Sequence, residues 1–454
     1  MSDREQPILS LNAFSNDAAG LTPDIAALVA RRQRSFGTGS VLFYDHPLKI
    51  VRAQGAYLYA SDGRAYLDFY NNVPTVGHCH PKVVEAVRRQ VGEFNTHSRY
   101  LFDIAHDYAE KLLATFPAEL SNLVLTCTGS ESNDLALRLA RKASGGRGFV
   151  VTRAAYHGNT AAVTEVSPSS YKQGAPPPHV RMVPPPDPAL FGDNVAQGFA
   201  DAVGAAIAAM EADGIRFAGL LVDTIFSSDG VFSDPPGFLK TAVDVTRAAG
   251  GLFIADEVQP GFGRTGEGLW GFGRHGVVPD IVTMGKPMGN GYPIAGVVTR
   301  PDILTAFSAD FGYFNTFAAS PLATAAAMAV LEAIEQDGLL ANAARVGKHL
   351  MSRLKHLQAH APINAVRGAG LYLGVEFGDT EAPGPEIAKA LINGLRDRGI
   401  LIGAAGQYGN VLKIRPPLCV TAEHADRLVD AIDELLGVKG TRESIRDARD
   451  QRPR

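Results

Sequence analysis

Between Leu123 and Thr299 the chain repeats one pattern: six or seven mostly apolar residues, then a stretch with helical periodicity. The apolar runs are LVLTCTG (123–129), GFVVTR (148–153), AGLLVDT (218–224), GLFIADE (251–257), DIVTMGK (280–286) and IAGVVT (294–299). Runs this short and this continuous are strands buried on both faces, and their alternation with helices makes the sheet mostly parallel. The sequence therefore predicts an α/β fold. Upstream, VRAQGAYLYASDGRAYLDF alternates apolar and polar residues around the turns Gln54-Gly55 and Asp62-Gly63, which predicts a small antiparallel meander. Downstream, LATAAAMAVLEAIEQDG (322–338) reads as a long helix, and LYLGVEF and VLKI as strands of a smaller α+β unit. The expected division is an N-terminal segment (1–75) packing with the small domain, a large domain (76–325), a small C-terminal domain (326–440) and a charged tail (441–454). GAPPPHVRMVPPPDP (174–188), with seven prolines, is expected to be an extended surface connection.

Composition narrows the partners. With 454 residues, 46% of them apolar, the chain can bury a large core in more than one domain. It has no apolar run of membrane-spanning length, and MSDREQPILS is too polar for a signal peptide, so a cytoplasmic protein without membrane contact is expected. Basic and acidic residues nearly balance (43 against 47), and the longest basic cluster is RRQR (31–34). That argues for a small-molecule partner and against nucleic acid. Cys79, Cys127 and Cys419 are far apart and odd in number, as free thiols of a reduced compartment would be. VGHCHP places His78, Cys79 and His80 side by side, but adjacent residues do not converge on one tetrahedral ion, so no metal is expected.

ADEVQPGFGRTGEGLWGFGRHG (255–276) carries the glycine spacing of a dinucleotide-binding loop twice. Such a loop must leave a strand directly and open a helix. GFGRTG is separated from GLFIADE by Val258, Gln259 and Pro260, and the residues after it are too glycine-rich for a helix. These glycines are expected to shape a loop instead.

Asp256 ends the buried run GLFIA, at the edge where open parallel sheets bind ligands. An isolated acid there could simply cap a turn or pair with Arg264. It is not isolated, because Lys286 ends DIVTMGK at the same edge, among small residues that leave its amine room. A buried lysine loses basicity and becomes a nucleophile toward a carbonyl. TGSESNDLALRLAR comes after LVLTC and opens a helix with Leu135, Ala136, Leu139 and Ala140 on one face, so Gly129 and Ser130 offer an anion site at its N-terminus. Tyr156 and His157, after GFVVTR, can place a ring over a flat ligand. An amine for a Schiff base, an acid for a pyridine nitrogen and a helix end for a phosphate together specify pyridoxal 5'-phosphate.

VGHCHP, TGSESND, YHG, DEVQPGFGRTG, TMGKPMGNGYPIAG and YFNTF (313–317) occur in an order that resembles the class III aminotransferases, with the pyridoxal-phosphate-dependent transferase fold of aspartate aminotransferase type. The resemblance implies that Lys286 carries the cofactor and that Asp256 bonds its pyridine nitrogen. Gln259 lies near its phenolic oxygen, Gly129 and Ser130 hold its phosphate, and Tyr156 or His157 covers its ring. It also implies that Thr316 reaches the phosphate of a neighbouring subunit, making a homodimer with shared active sites that can pair into a tetramer.

Two departures concern the substrate. VLKIRPPLCV has Lys413 where carboxylate-handling members carry an arginine three residues before Pro-Pro, with Arg415 directly before that pair, and AGLLVDTIFSSDG has Asp223-Thr224 where Glu-Pro is common. A point-charge lysine suits a compact anion better than a planar carboxylate. With HPLKIVRAQGAYLY, NNVPTVGHCHP, NTHSRYLFD and SNDLALRLAR, these features resemble the branch of phospho-lyases acting on ethanolamine phosphate or phosphohydroxylysine. The implied activity is elimination of phosphate from a phosphorylated primary amine, with Lys413, Arg415 and Arg99 as candidates for the substrate's anion. The alternative is an amine or amino-acid transaminase using pyruvate or glyoxylate.

Overall fold

A computed structural model describes residues 8–15, 20–37, 39, 41–379 and 381–437. The charged tail therefore lies outside the described residues, as does the end of the expected small domain.

Seven strands form the central sheet: β4 (Asn122–Thr126), β5 (Gly148–Thr152), β6 (Val180–Val183), β7 (Phe217–Asp223), β8 (Leu252–Asp256), β9 (Ile281–Met284) and β10 (Ala295–Thr299). They are preceded by the meander β1 (Ile50–Gln54), β2 (Tyr57–Ala60) and β3 (Ala65–Asp68). The sheet order is β4-β10-β9-β8-β7-β5-β6, and β10 alone runs against its neighbours. Every residue of β5, β8, β9 and β10 is buried, which is why their sequences show no polar alternation. Burying a side chain such as Phe253 or Ile254 stabilises the fold by about 1.5–3 kcal/mol. The proline-rich stretch departs from expectation. Its Val180–Val183 segment is extended but pairs in parallel with β5 as the edge strand β6, a place where flanking prolines cost no ladder hydrogen bond.

The helix Gly129–Ser144 buries Leu135, Ala136, Leu139 and Ala140 against this sheet and stops at Gly145, in the left-handed region (φ 66°). The helix Pro321–Gln336 leads out of the large unit. Beyond it lie β11 (Ala365–Ala369), β12 (Tyr372–Glu376), β13 (Ile400–Leu401), β14 (Gly403–Ala405) and β15 (Val411–Ile414). Four of them make an antiparallel sheet in the order β11-β12-β15-β14, while β13 joins the meander in parallel with β3.

Neither glycine-rich match opens a helix of the dinucleotide-binding kind. Glu257 instead pins the second one: its carboxylate accepts from Thr224 Oγ1 (2.8 Å), Gly271 N (2.7 Å) and Phe272 N (2.8 Å), holding the 3-10 turn Gly271–His275. Burial pushes this carboxyl up to about 7. Among the described residues no helix is long and apolar enough to cross a membrane, no group of side chains could hold a metal ion, and Cys79, Cys127 and Cys419 are free thiols.

Candidate active site

The segments leaving β4, β5, β7, β8 and β9 meet at one edge of the large sheet. Asp256, the last residue of β8, is held by three donors. Its Oδ2 accepts from His157 Nδ1 (2.7 Å) and Asn133 Nδ2 (3.0 Å), and its Oδ1 from the Val258 amide (3.0 Å). A carboxylate can only accept, so the His157 proton sits on Nδ1. Asn133 is itself fixed, donating to the His157 carbonyl (2.7 Å) and accepting from Thr283 Oγ1 (2.8 Å) on β9. The carboxylate's plane is thus set by residues that come after β4 and β5 and by β9 together. Asp256 makes none of these bonds with Arg264, which lies elsewhere. His157 is committed to Asp256 with its ring buried, which leaves the half-buried Tyr156 as the ring free to face a ligand.

Lys286 comes after Gly285 at the end of β9 and opens a short 3-10 turn with φ 32°. Among the described residues its amine has no hydrogen-bond or ion-pair partner. Burial and the nearby Arg415 charge lower it from 10.5 to about 8, with Asp256 and Asp223 opposing the shift. At the end of β4, Thr128 and Glu131 form a reciprocal capping box, so the amides of Gly129 and Ser130 remain without intrahelical acceptors. The backbone is drawn in tightly there. A Cβ on Gly285 would lie 3.2 Å from Gly129 N, and one on Gly158 only 2.5 Å from Ser130 Oγ. An unpartnered nucleophilic amine, a carboxylate with an uncommitted lone pair and an open helix N-terminus converge here, the donor set that a pyridoxal phosphate requires.

A second group of charges faces this set from the small sheet. Lys413 lies on β15 between Gly374 of β12 and Gly403 of β14, where a Cβ on Gly403 would meet the Tyr70 ring at 2.3 Å and one on Gly374 the Gly230 carbonyl at 3.1 Å, so neighbouring groups pack closely against both glycines. It is 3% exposed, and among the described residues its ammonium has no hydrogen-bond or ion-pair partner. Burial, Arg415 and Lys286 push it well below the usual lysine range, and Asp223 and Asp229 only partly offset them. Arg415 Nη1 donates to Asn72 Oδ1 (2.7 Å) and Gln259 Oε1 (3.0 Å), and its guanidinium stacks 4.6 Å from the Tyr70 ring centre. Asn72 Nδ2 also donates to Gln259 Oε1 (2.8 Å), so Gln259 is tied to the arginine side of the site.

Thr316 and Arg99 are not part of this cluster. Thr316 is exposed on a loop docked by Asn315 against Glu131, and Arg99 stacks 3.9 Å from the Phe314 ring on the same outer face. Asn133 lies within TGSESND and Asn72 within NNVPTVGHCHP, but nothing in those stretches singles either residue out, and Tyr70 joins the site with no mark in the sequence. Asn and Tyr are common enough in loops and helices that only their contacts with Asp256 and Arg415 single them out.

A family model described as "Aminotransferase class-III" matches residues 43–436. An ethanolamine-phosphate phospho-lyase homolog of Caenorhabditis elegans is 36% identical over 450 residues, covering 93% of this chain and 96% of the relative. An alanine–glyoxylate aminotransferase 2-like protein of Drosophila melanogaster is 38% identical over 425 residues, covering 89% and 86%. Among solved structures, an Arthrobacter phospholyase in complex with phosphoethanolamine superposes with a TM-score of 0.87 at 41% identity, over 90% of this chain and 99% of that one.

Proposed function

The chain belongs to the class III aminotransferase family, whose members use pyridoxal 5'-phosphate, and we propose that it acts as a phospho-lyase on a phosphorylated primary amine such as ethanolamine phosphate. The observation that carries this reading is Lys413: a lysine 3% exposed, near Arg415 and Lys286 and with no carboxylate in ion-pair distance among the described residues, is suited to an anionic group of the substrate. A phosphate arriving there would restore the charged form of Lys413 and pair with it and with Arg415.

The cofactor, when bound, supplies an electron sink for negative charge at the carbon next to the amine nitrogen. Asp256 would keep the proton of the pyridine nitrogen in place, the Gly129 and Ser130 amides would hold the cofactor's phosphate, and Tyr156 would cover its ring. Gln259, held by Asn72 and Arg415, would lie near the phenolic oxygen. Lys286 Nζ takes the proton from the carbon bearing the nitrogen. Lys413 and Arg415 hold the substrate phosphate and stabilise its charge as the adjacent C–O bond breaks, the electron pair leaving with oxygen. The two-carbon enamine that remains takes up water and yields aldehyde and ammonia. Thr316 of one subunit would complete the cofactor phosphate site of a second copy.

The similarity to the Drosophila aminotransferase supports a second reading, amine transfer to pyruvate or glyoxylate. It uses the same first proton transfer. Incubation with ethanolamine phosphate and no keto acid separates the two. A lyase releases phosphate, acetaldehyde and ammonia over many turnovers, whereas a transaminase stops after one. No phosphate release, together with steady amine transfer from alanine to a keto acid, would reverse the assignment.

A further inference from the structure

The GFGRTG loop contributes one side chain that the chemistry above does not use. Arg264 is 1% exposed, and among the described residues no carboxylate lies within ion-pair distance of it. Burial without a counter-ion lowers its guanidinium to about 9. Enclosing a cation in this way costs several kcal/mol, and an apolar side chain of similar volume would fill the space at less cost. Stability therefore gives no reason for a charge here.

A guanidinium can, however, tie several acceptors together at fixed angles, which an apolar chain cannot. Arg264 donates to the Leu371 carbonyl (3.3 Å), to Thr75 Oγ1 (3.3 Å) and to the Pro416 carbonyl. Each acceptor adjoins an element that frames Lys413 or Arg415. Pro416 is the residue directly after Arg415. Leu371 enters β12, whose Gly374 is paired with Lys413. Thr75 belongs to the loop whose Tyr70 and Asn72 contact Arg415, and its carbonyl accepts from Leu418 N (2.7 Å). Pro416 and Pro417 have no N–H, so a carbonyl is the handle by which the chain after Arg415 can be held. The main chain is tied as well: Arg264 O accepts from Leu371 N (2.9 Å), and Gly370 (φ 53°) has no room for a Cβ, which would meet Arg264 O at 2.5 Å.

We propose that Arg264 is a positioning residue for the substrate's anionic end, locking the segments that present Lys413 and Arg415 into one register. The proposal rests on the reading that these two cations hold the substrate phosphate. It assigns to the glycine-rich loop a task at the substrate, where its spacing alone suggested a cofactor.

The test compares Arg264→Met, Arg264→Lys and Lys413→Met holoenzymes. The readouts are the visible cofactor band, the thermal midpoint, KM and kcat for ethanolamine phosphate, and inorganic phosphate binding by calorimetry. Arg264→Met should keep the band and kcat within about threefold while raising KM and the phosphate Kd about tenfold or more. Arg264→Lys keeps the charge and one donor and should recover part of that loss. Loss of band, kcat and thermal midpoint together, with unchanged phosphate affinity in the molecules that retain cofactor, would overturn the proposal in favour of a purely structural role. Should Arg264→Met not fold, Arg264→Lys decides: wild-type phosphate affinity overturns the proposal, and weakened affinity with an intact band supports it. Unchanged phosphate binding in Lys413→Met would show instead that the anion site itself is misassigned, and the proposal falls with it. The phosphate arm needs no turnover, so it reads Arg264 whichever reaction the enzyme performs.

Discussion

At Lys286, reactivity comes from burial more than from any single partner. An amine lowered from 10.5 to about 8 is a free nucleophile over a pH range in which a solvated lysine is not. The rate at which apoprotein acquires its visible band should therefore rise about tenfold per pH unit below 8 and level off above it. Stopped-flow absorbance checks this, and Lys286→Ala should form no such band at any pH while still retaining cofactor weakly through the phosphate. The stability linkage has the corresponding sign. The folded state disfavours the ammonium, so in the apoprotein the penalty is fully present below about 8 and is relieved as pH rises toward 10.5.

Among the elements, the helix Gly129–Ser144 shows how a common local motif becomes a binding device. Thr128 Oγ1 accepts from Glu131 N (3.2 Å), while Glu131 Oε2 accepts from Thr128 N (3.2 Å) and Cys127 N (2.7 Å). The box satisfies the helix's own donors and directs the two remaining amides outward. Thr128→Ala should cost about 1 kcal/mol of stability. It should also weaken cofactor binding several-fold without changing the band's position, because the amides lose their alignment but Lys286 does not. Thermal unfolding and cofactor titration measure the two effects separately; unchanged affinity would place the phosphate elsewhere.

On the scale of the molecule, one outer face is unusually apolar. Leu101 is 90% exposed and Phe317 is 74% exposed, with Tyr100 and Phe314 nearby. The two segments touch, since His97 and Arg99 both contact the Phe314 ring. Aromatic and aliphatic surface of this kind, next to the loop that carries Thr316, suits a second copy of the chain. Sedimentation should show a dimer. Leu101→Asp combined with Phe317→Asp should shift it toward monomer and loosen the cofactor, because each site would lose Thr316 of the neighbouring subunit. A monomer that holds cofactor fully would contradict the shared-site arrangement.

The amino-acid sequence alone determined six of the seven strands of the large sheet and its mostly parallel character, since continuous apolar runs separated by helical periods admit few other folds. It also brought out Lys286, Asp256, Gly129 and Ser130, because strand ends and helix starts are local features that periodicity and capping residues mark directly. Tertiary structure decided what each of the less regular residues does. Tyr156 and His157 were equivalent as neighbours in a loop until the Asp256 carboxylate, 99 positions away from His157, claimed one of them. Val180–Val183 looked like a connection because its prolines speak for irregular chain, and only pairing with β5 makes it a strand. Lys413, Arg415 and Arg264 carry no local sign of burial, since a charged residue in sequence is most often a solvated one. Their enclosure arises where loop 69–77, the GFGRTG loop and the small sheet close on one another, and contacts over that range of sequence are set by packing rather than by any pattern along the chain.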